Sequence, residues 1–235
     1  MSAAIFHPEE VHPSLWRASQ LAGGSLRTVD TGYAALSAEL PGGGWPVGAL
    51  VDLLIQQPGI GEFRLLRPAL IALAKRPLAL VQPPHLPNAP AFAYLGVPLE
   101  RLIQIRVSKT ADALWSAEQI LRAGTCGALL FWASYVSTAS LRRLHLAAQS
   151  SETLFVMMRP LAVAQDASPA LLRLAVRSQG DGVSVDIVKR RGPARTEPVS
   201  ISLQPSPILF SRHARISRRQ TAPNRAGSVL AEVVA

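Results

Sequence analysis

The stretch from Leu40 to Phe63, LPGGGWPVGALVDLLIQQPGIGEF, constrains this chain more than any other. Gly42, Gly43, Gly44, Pro46 and Gly48 break regular structure, and the apolar run Ala49 to Ile55 has the length of a fully buried parallel strand. A Gly/Pro loop, Gln56 to Gly61, follows. Behind it Phe63, Leu65, Leu66, Leu70, Ile71 and Leu73 recur at helical spacing. The order strand, Gly-rich turn, helix is the outline of a phosphate-binding loop, with a chance Gly/Pro loop as the alternative.

The outline lacks its chemistry. In G-x-x-x-x-G-K-[ST] the glycines let backbone N–H groups wrap phosphates, the Lys reaches the β/γ-phosphates and the hydroxyl holds magnesium. Here Gln56 takes the first Gly place, Gly59 lies inside the loop, Gly61 takes the second Gly place, Glu62 the Lys place and Phe63 the hydroxyl place. A carboxylate about 4 Å from a phosphate charge is unfavourable by roughly 1 to 4 kcal/mol, where an ammonium would be favourable by as much. The loop is therefore phosphate-binding in shape only.

With 235 residues, 49% of them hydrophobic, the chain can bury one sizeable α/β core with tails rather than two domains. No apolar run approaches the roughly 18 residues that would span a membrane. The opening MSAAIFHPEE carries acids where a signal peptide would be basic, and a single cysteine, Cys126, suits a reducing cytoplasm. His7, His12, His85, His145 and His213 have no metal-ligand spacing, so neither a metal nor another cofactor is expected.

Charge is placed unevenly. From Lys189 to Arg225 nine basic residues (Lys189, Arg190, Arg191, Arg195, Arg212, Arg215, Arg218, Arg219, Arg225) face one acid, Glu197, so this part carries +8 of the chain's +9. A basic end on a nearly neutral body points to contact with nucleic acid or an acidic protein surface, against the plainer reading of a solvated tail. The spacing of Arg212, Arg215, Arg218 and Arg219 would put them on one face of a helix formed on binding. At the other end Ile5 to Leu21 forms an arm in which Pro13 opens a short helix bearing Trp16.

From Pro77 a strand and helix rhythm sets in: strands at Leu78 to Gln82, Leu102 to Val107, Cys126 to Ala133 and Thr153 to Met157, with helices at Ala89 to Leu95, Ala111 to Arg122 and Ser137 to Gln149. Repeated βα units imply a mainly parallel sheet covered by helices on both faces. Ala170 to Arg177 and Val183 to Lys189, joined by Gln179-Gly180-Asp181-Gly182, form an antiparallel hairpin at the sheet edge. Trp45, Trp115 and Trp132 read as packing, Cys126 as a small core residue and His85 as part of a turn. Ser134, Ser137 and Ser140 lack the frame of a catalytic triad.

In order along the chain, Thr31-Gly32 to Leu40, PGGGWPVGALVDL, the Gly/Pro loop, Leu95-Gly96-Val97 to Leu102, and Arg122-Ala123-Gly124 before Ala128 to Trp132 resemble the RecA ATPase core over residues 28 to 160. More closely, HPSLWRA, LPGGGWPVGAL, GIGE, PPHLPNAPA, ALWSAEQILRAG and VKRRGP resemble the ImuA family, RecA-like proteins of bacterial mutagenesis cassettes. The resemblance implies an α/β, RecA-like P-loop core over residues 28–210, between an arm (1–27) and a basic, disordered tail (211–235). It also implies that Pro84 stands where a water-activating glutamate would be, and Trp132 where a magnesium-binding Walker B aspartate would be. With Glu62 and Phe63, four positions needed for phosphoryl transfer hold residues that cannot perform it.

The expectation is a pseudo-ATPase of the SOS response that acts in translesion DNA synthesis. Its implied partners are RecA recombinase, an ImuB-type Y-family-like protein and an error-prone replicative-type polymerase, with Arg190, Arg191, Arg212, Arg215, Arg218 and Arg219 contacting partner or DNA. The competing expectation is an inhibitor of cell division like SulA, whose reduced core belongs to the same wider group.

Overall fold

A computed structural model of the chain describes residues 26–193 and 197–203. The arm helix at Pro13, Trp16, Arg195 and the tail arginines lie outside the described residues. Thr28–Asp30 (β1) pairs antiparallel with Gly44–Pro46 (β2), and the short helix Ala34–Ser37 (α1) lies between them in sequence. The reading of Gly42 to Gly48 as a simple break is corrected at β2. Gly44 has ordinary extended backbone, and a Cβ there would lie 2.4 Å from the Val29 carbonyl oxygen, so glycine lets the two strands close.

The main sheet contains Ala49–Ile55 (β3), Leu78–Val81 (β4), Leu102–Ile105 (β5), Ala128–Trp132 (β6), Leu154–Pro160 (β7), Leu172–Gln179 (β8), Gly182–Lys189 (β9) and Val199–Ser202 (β10). Their order is β10-β9-β8-β3-β7-β6-β4-β5. Pairings from β8 through β5 are parallel, whereas β8 with β9 and β9 with β10 are antiparallel. The fold is thus mixed α/β, with a mostly parallel central sheet and antiparallel edge strands. The hairpin is where its Asp-Gly turn places it, but β10 adds outside it and takes the edge. That four-residue strand has only Val199 and Ile201 pointing inward, too little alternation to stand out from its surroundings.

Glu62–Leu73 (α2) and Ala89–Leu95 (α3) cover one face of the sheet, where Leu65, Leu66, Leu70 and Phe92 join Val51, Leu53 and Ile55 in one core. Thr110–Ala123 (α4) and Thr138–Gln149 (α5) cover the other face, packing Leu114, Leu121, Leu141 and Leu144 on Leu50, Phe131 and Met157. On α4 the expectation for Trp115 fails: it is 61% exposed. The buried stripe is Ala113, Leu114, Ala117, Glu118 and Leu121, and Trp115 falls just off it.

Pro68 inside α2 cannot donate to the carbonyl of Arg64. The Tyr33 hydroxyl donates to that oxygen instead, at 2.9 Å. Gly32, at φ +77°, lies so close to Pro68 that a Cβ would sit 2.4 Å from the proline ring. This is the physical content of the Thr31-Gly32 pair that precedes the core.

β3 carries one charge, Asp52, fully buried between β7 and β8. Its Oδ2 accepts from Arg173 Nε at 3.1 Å, Arg159 Nη1 at 3.5 Å and the Ser168 hydroxyl at 2.7 Å. Arg173 also donates to the carbonyls of Val163, Ala164 and Asp166, which fixes the turn Leu161–Gln165 against the sheet. Two guanidiniums thus share one carboxylate inside the protein, and removing it strands both charges. Asp52→Ala is expected to cost about 3–5 kcal/mol in urea unfolding, and Asp52→Asn somewhat less.

Candidate functional site

Because β3, β4, β6 and β7 run parallel, their C-terminal ends share one rim, the place where open α/β sheets hold ligands. The loop from Gln56 to Gly61 crosses this rim from β3 to α2. Gly59 (φ +89°) and Gly61 (φ +124°) take backbone conformations that side chains resist, which aims their N–H groups into the loop. Such a concave set of donors ahead of a helix N-terminus is an anion-binding nest.

The nest is already filled. Glu62 is 3% exposed, and its carboxylate accepts from Gly59 N–H through Oε1 at 2.8 Å and from Gly61 N–H through Oε2 at 3.1 Å. Its charge also lies in the first turn of α2, the favourable end of the helix dipole. The sequence reading cast Glu62 as a charge that repels phosphate from the lysine place. The structure assigns it a different part, as the anion that uses the loop's donors.

Beside it, Phe63 meets Phe92 edge to face, with centroids 5.2 Å apart, and lies tilted against Trp132 at 5.6 Å. Trp132 is buried, as its packing role required, and its indole Nε1 has no hydrogen-bond partner among the described residues. Gln82, at φ 52°, ends β4 in a left-handed conformation, and its side-chain amide pairs with the backbone N–H and C=O of Val107. Among the cavities on the rim, two border the loop from Gln56 to Gly61. One of about 290 Å³ touches Gln56, Gln82, Pro84, Trp132 and Arg159. The other, about 170 Å³, is walled by Pro58, Phe63, Pro83, Phe92 and Trp132, with Glu62 and Leu86 at its border.

The structure therefore brings Gln56, Gly59, Glu62, Phe63, Pro84 and Trp132 to one rim, with Gly61 as the N-cap of α2. Arg190 is not part of an open basic face. It donates to both the carbonyl and the carboxylate of Glu39, the latter at 2.9 Å, and to the Pro193 carbonyl, so it ties the strand end to the segment before β2. Arg191 is exposed. Arg212, Arg215, Arg218 and Arg219 lie outside the described residues. Among the described residues no group of three His, Cys, Asp or Glu could hold a metal ion, and no helix is long and apolar enough to cross a membrane.

Sequence reasoning missed the Asp52, Arg159 and Arg173 cluster, although a lone Asp within ALVDLLI was its visible signal. It also passed over His145, whose Nδ1 accepts the Leu50 N–H at 3.2 Å where α5 crosses the start of β3. Burial pushes the Cys126 thiol up, against smaller effects from Thr125 and Arg76, so this thiol is kept protonated and unreactive.

What fold and site define is a mixed α/β protein with a self-filled anion loop at the end of its central strand. No family model matches the chain. Cell division inhibitor SulA of Edwardsiella piscicida is 30% identical over 76 residues, which is 32% of this chain and 45% of that protein. The match thus spans about half the length of the curated relative and supports a SulA-like relationship over part of the chain.

Burial lowers the pKa of His145 from its ordinary 6.5, and Lys189 acts in the same direction. A folded pKa below the unfolded one means that the stability is fully present above 6.5 and is lost as pH falls below it. The unfolding midpoint in urea should drop between about pH 7 and about pH 5.5, and His145→Asn, which keeps an acceptor without a proton to gain, should flatten that drop.

Proposed function

We propose that this chain acts by contact rather than catalysis, as a degenerate RecA-like accessory protein of damage-induced translesion synthesis. In this reading it brings together a recombinase, an ImuB-type partner and an error-prone polymerase, and its basic C-terminal residues meet an acidic protein surface or DNA. The observation that carries the non-catalytic part is the Glu62 carboxylate on the N–H groups of Gly59 and Gly61. A nucleotide phosphate would have to displace a buried, doubly bonded carboxylate, and would then find Phe63, Pro84 and Trp132 where a hydroxyl, a base and a magnesium ligand are needed. The ImuA-like motifs running through most of the sequence support the choice of partners.

The partial match to SulA favours a second reading, an inhibitor of cell division that binds the division machinery. The two predict different phenotypes. Under the first, deleting the gene lowers damage-induced mutagenesis and leaves cell length unchanged on overexpression. Filamentation on overexpression, with mutagenesis intact in the deletion strain, would establish the second instead.

Loss at several positions also sets the outcome of repair. Glu62→Lys alone should give no ATP turnover above background in a phosphate-release assay, because Phe63, Pro84 and Trp132 remain. Measurable hydrolysis by that single variant would contradict the proposal.

A further inference from the structure

Trp132 and Arg159 stand at the ends of neighbouring parallel strands. In the register of β6 and β7, Trp132 lies opposite Met158, one residue before Arg159. Both belong to the wall of the rim cavity of about 290 Å³. They are buried, at 8% and 2% exposure, and each keeps one N–H donor, Trp132 Nε1 and Arg159 Nε, with no hydrogen-bond partner among the described residues. A folded chain seldom buries a donor in this way unless an acceptor meets it, because the N–H group has given up its water. Two such residues on one cavity wall call for an oxygen acceptor inside it.

The local charge gives that acceptor its sign. Asp52 pairs with Arg159 and with Arg173, so the buried cluster holds two positive charges against one negative. Arg173 is fully engaged, with Nε on Asp52 and its other nitrogens on the carbonyls of Val163, Ala164 and Asp166. Arg159 reaches Asp52 only at 3.5 Å, through Nη1. A buried surplus charge is unfavourable until an opposite charge meets it, and a single negative charge balances this one. A phosphate group, with close to two negative charges at neutral pH, would overshoot that balance. The loop donors that would hold it are already bonded to Glu62. Ile55, Pro58 and Met158 make much of the remaining wall apolar.

We propose that this cavity binds a carboxylate carried on a short apolar body. The carboxylate accepts from the Trp132 indole, lies against Arg159 as the counter-ion of the Asp52 cluster, and leaves its carbons on Ile55, Pro58 and Met158. It sits beside the filled loop and makes no use of the Gly59 and Gly61 N–H groups. A small organic acid and a glutamate side chain of a partner protein carry the same group, and the inference holds whichever partner the chain meets.

Hexanoate and its uncharged analogue 1-hexanol, added to the full-length chain, test it by ¹H–¹⁵N NMR, with Trp132→Phe identifying the Trp132 indole signal among those of the four tryptophans. Hexanoate should move that signal downfield with a Kd of about a millimolar, and hexanol should not. Arg159→Met removes the surplus charge and leaves Asp52 paired with Arg173, so it should fold and bind hexanoate about tenfold more weakly. Should it fail to fold, Trp132→Phe, which keeps a ring against Phe63, should show a loss of about the same size by calorimetry. A short peptide with a central glutamate, set against its glutamine version, assigns the source. Movement of the indole signal by the glutamate peptide alone gives the site to a partner's side chain, movement by hexanoate alone gives it to a small acid, and movement by both bears out the shared chemistry. No saturable shift with either carboxylate would overturn the proposal, as would a response to hexanol equal to that with hexanoate or tighter binding of inorganic phosphate.

Discussion

The loop between β3 and α2 presents more backbone donors than the helix it opens can use, and a buried donor left unmade costs about 1–3 kcal/mol. Glu62 ends that shortage from within the same turn. Its two oxygens reach Gly59 and Gly61, whose positive φ angles make the nest possible. In a nucleotide-binding loop such donors stay available for the ligand's phosphates. Here the anion is covalently part of the chain, so the loop keeps its shape with no ligand bound. Phe63 then turns toward Phe92 and Trp132, so aromatic rings pack beside the filled loop.

That rim depends on the placement of β3, and Asp52 contributes to it through the sheet. With Arg159 on β7 and Arg173 on β8, it joins three neighbouring parallel strands by charge as well as by their ladders. Arg173 extends the hold to Leu161–Gln165 through three carbonyls. Breaking the cluster is costly because the guanidiniums have no other carboxylate within reach among the described residues, whereas keeping it costs desolvation that the strand pairing must offset. The cluster is better understood as fixing which strands neighbour β3 than as a large source of stability.

Much of this architecture was legible where a single physical signal was strong. β3 (Ala49–Ile55) and α3 (Ala89–Leu95) have the bounds read from the sequence, and the Asp-Gly turn located the β8–β9 hairpin; that Asn88 caps α3 through its side chain is seen only in the structure. Gln56, Gly59, Glu62 and Phe63 were gathered by the spacing of a phosphate-loop motif, and Pro84 and Trp132 only by the resemblance to the RecA core; the parallel strand ends are what place the six on one rim. What stayed hidden depends on tertiary partners. β2 and β10 are too short to carry a period, and Trp115 lies one step outside a helical stripe that single-residue hydrophobicity cannot resolve. Arg190 looked like part of a basic patch because Glu39, its partner, is far away in sequence. Glu62 was recognised as an intruder, but its role required the loop geometry that turns it back on its own N–H groups.

The most direct test follows the amides of Gly59 and Gly61 by ¹H–¹⁵N NMR while Mg-ATP is added to the full-length chain. If Glu62 already accepts from both groups, their resonances lie downfield in the ligand-free protein, move upfield in Glu62→Ala, and stay fixed in the native chain through millimolar nucleotide. Saturable shifts of these two amides in the native chain, with the Glu62 carboxylate displaced, would contradict the account.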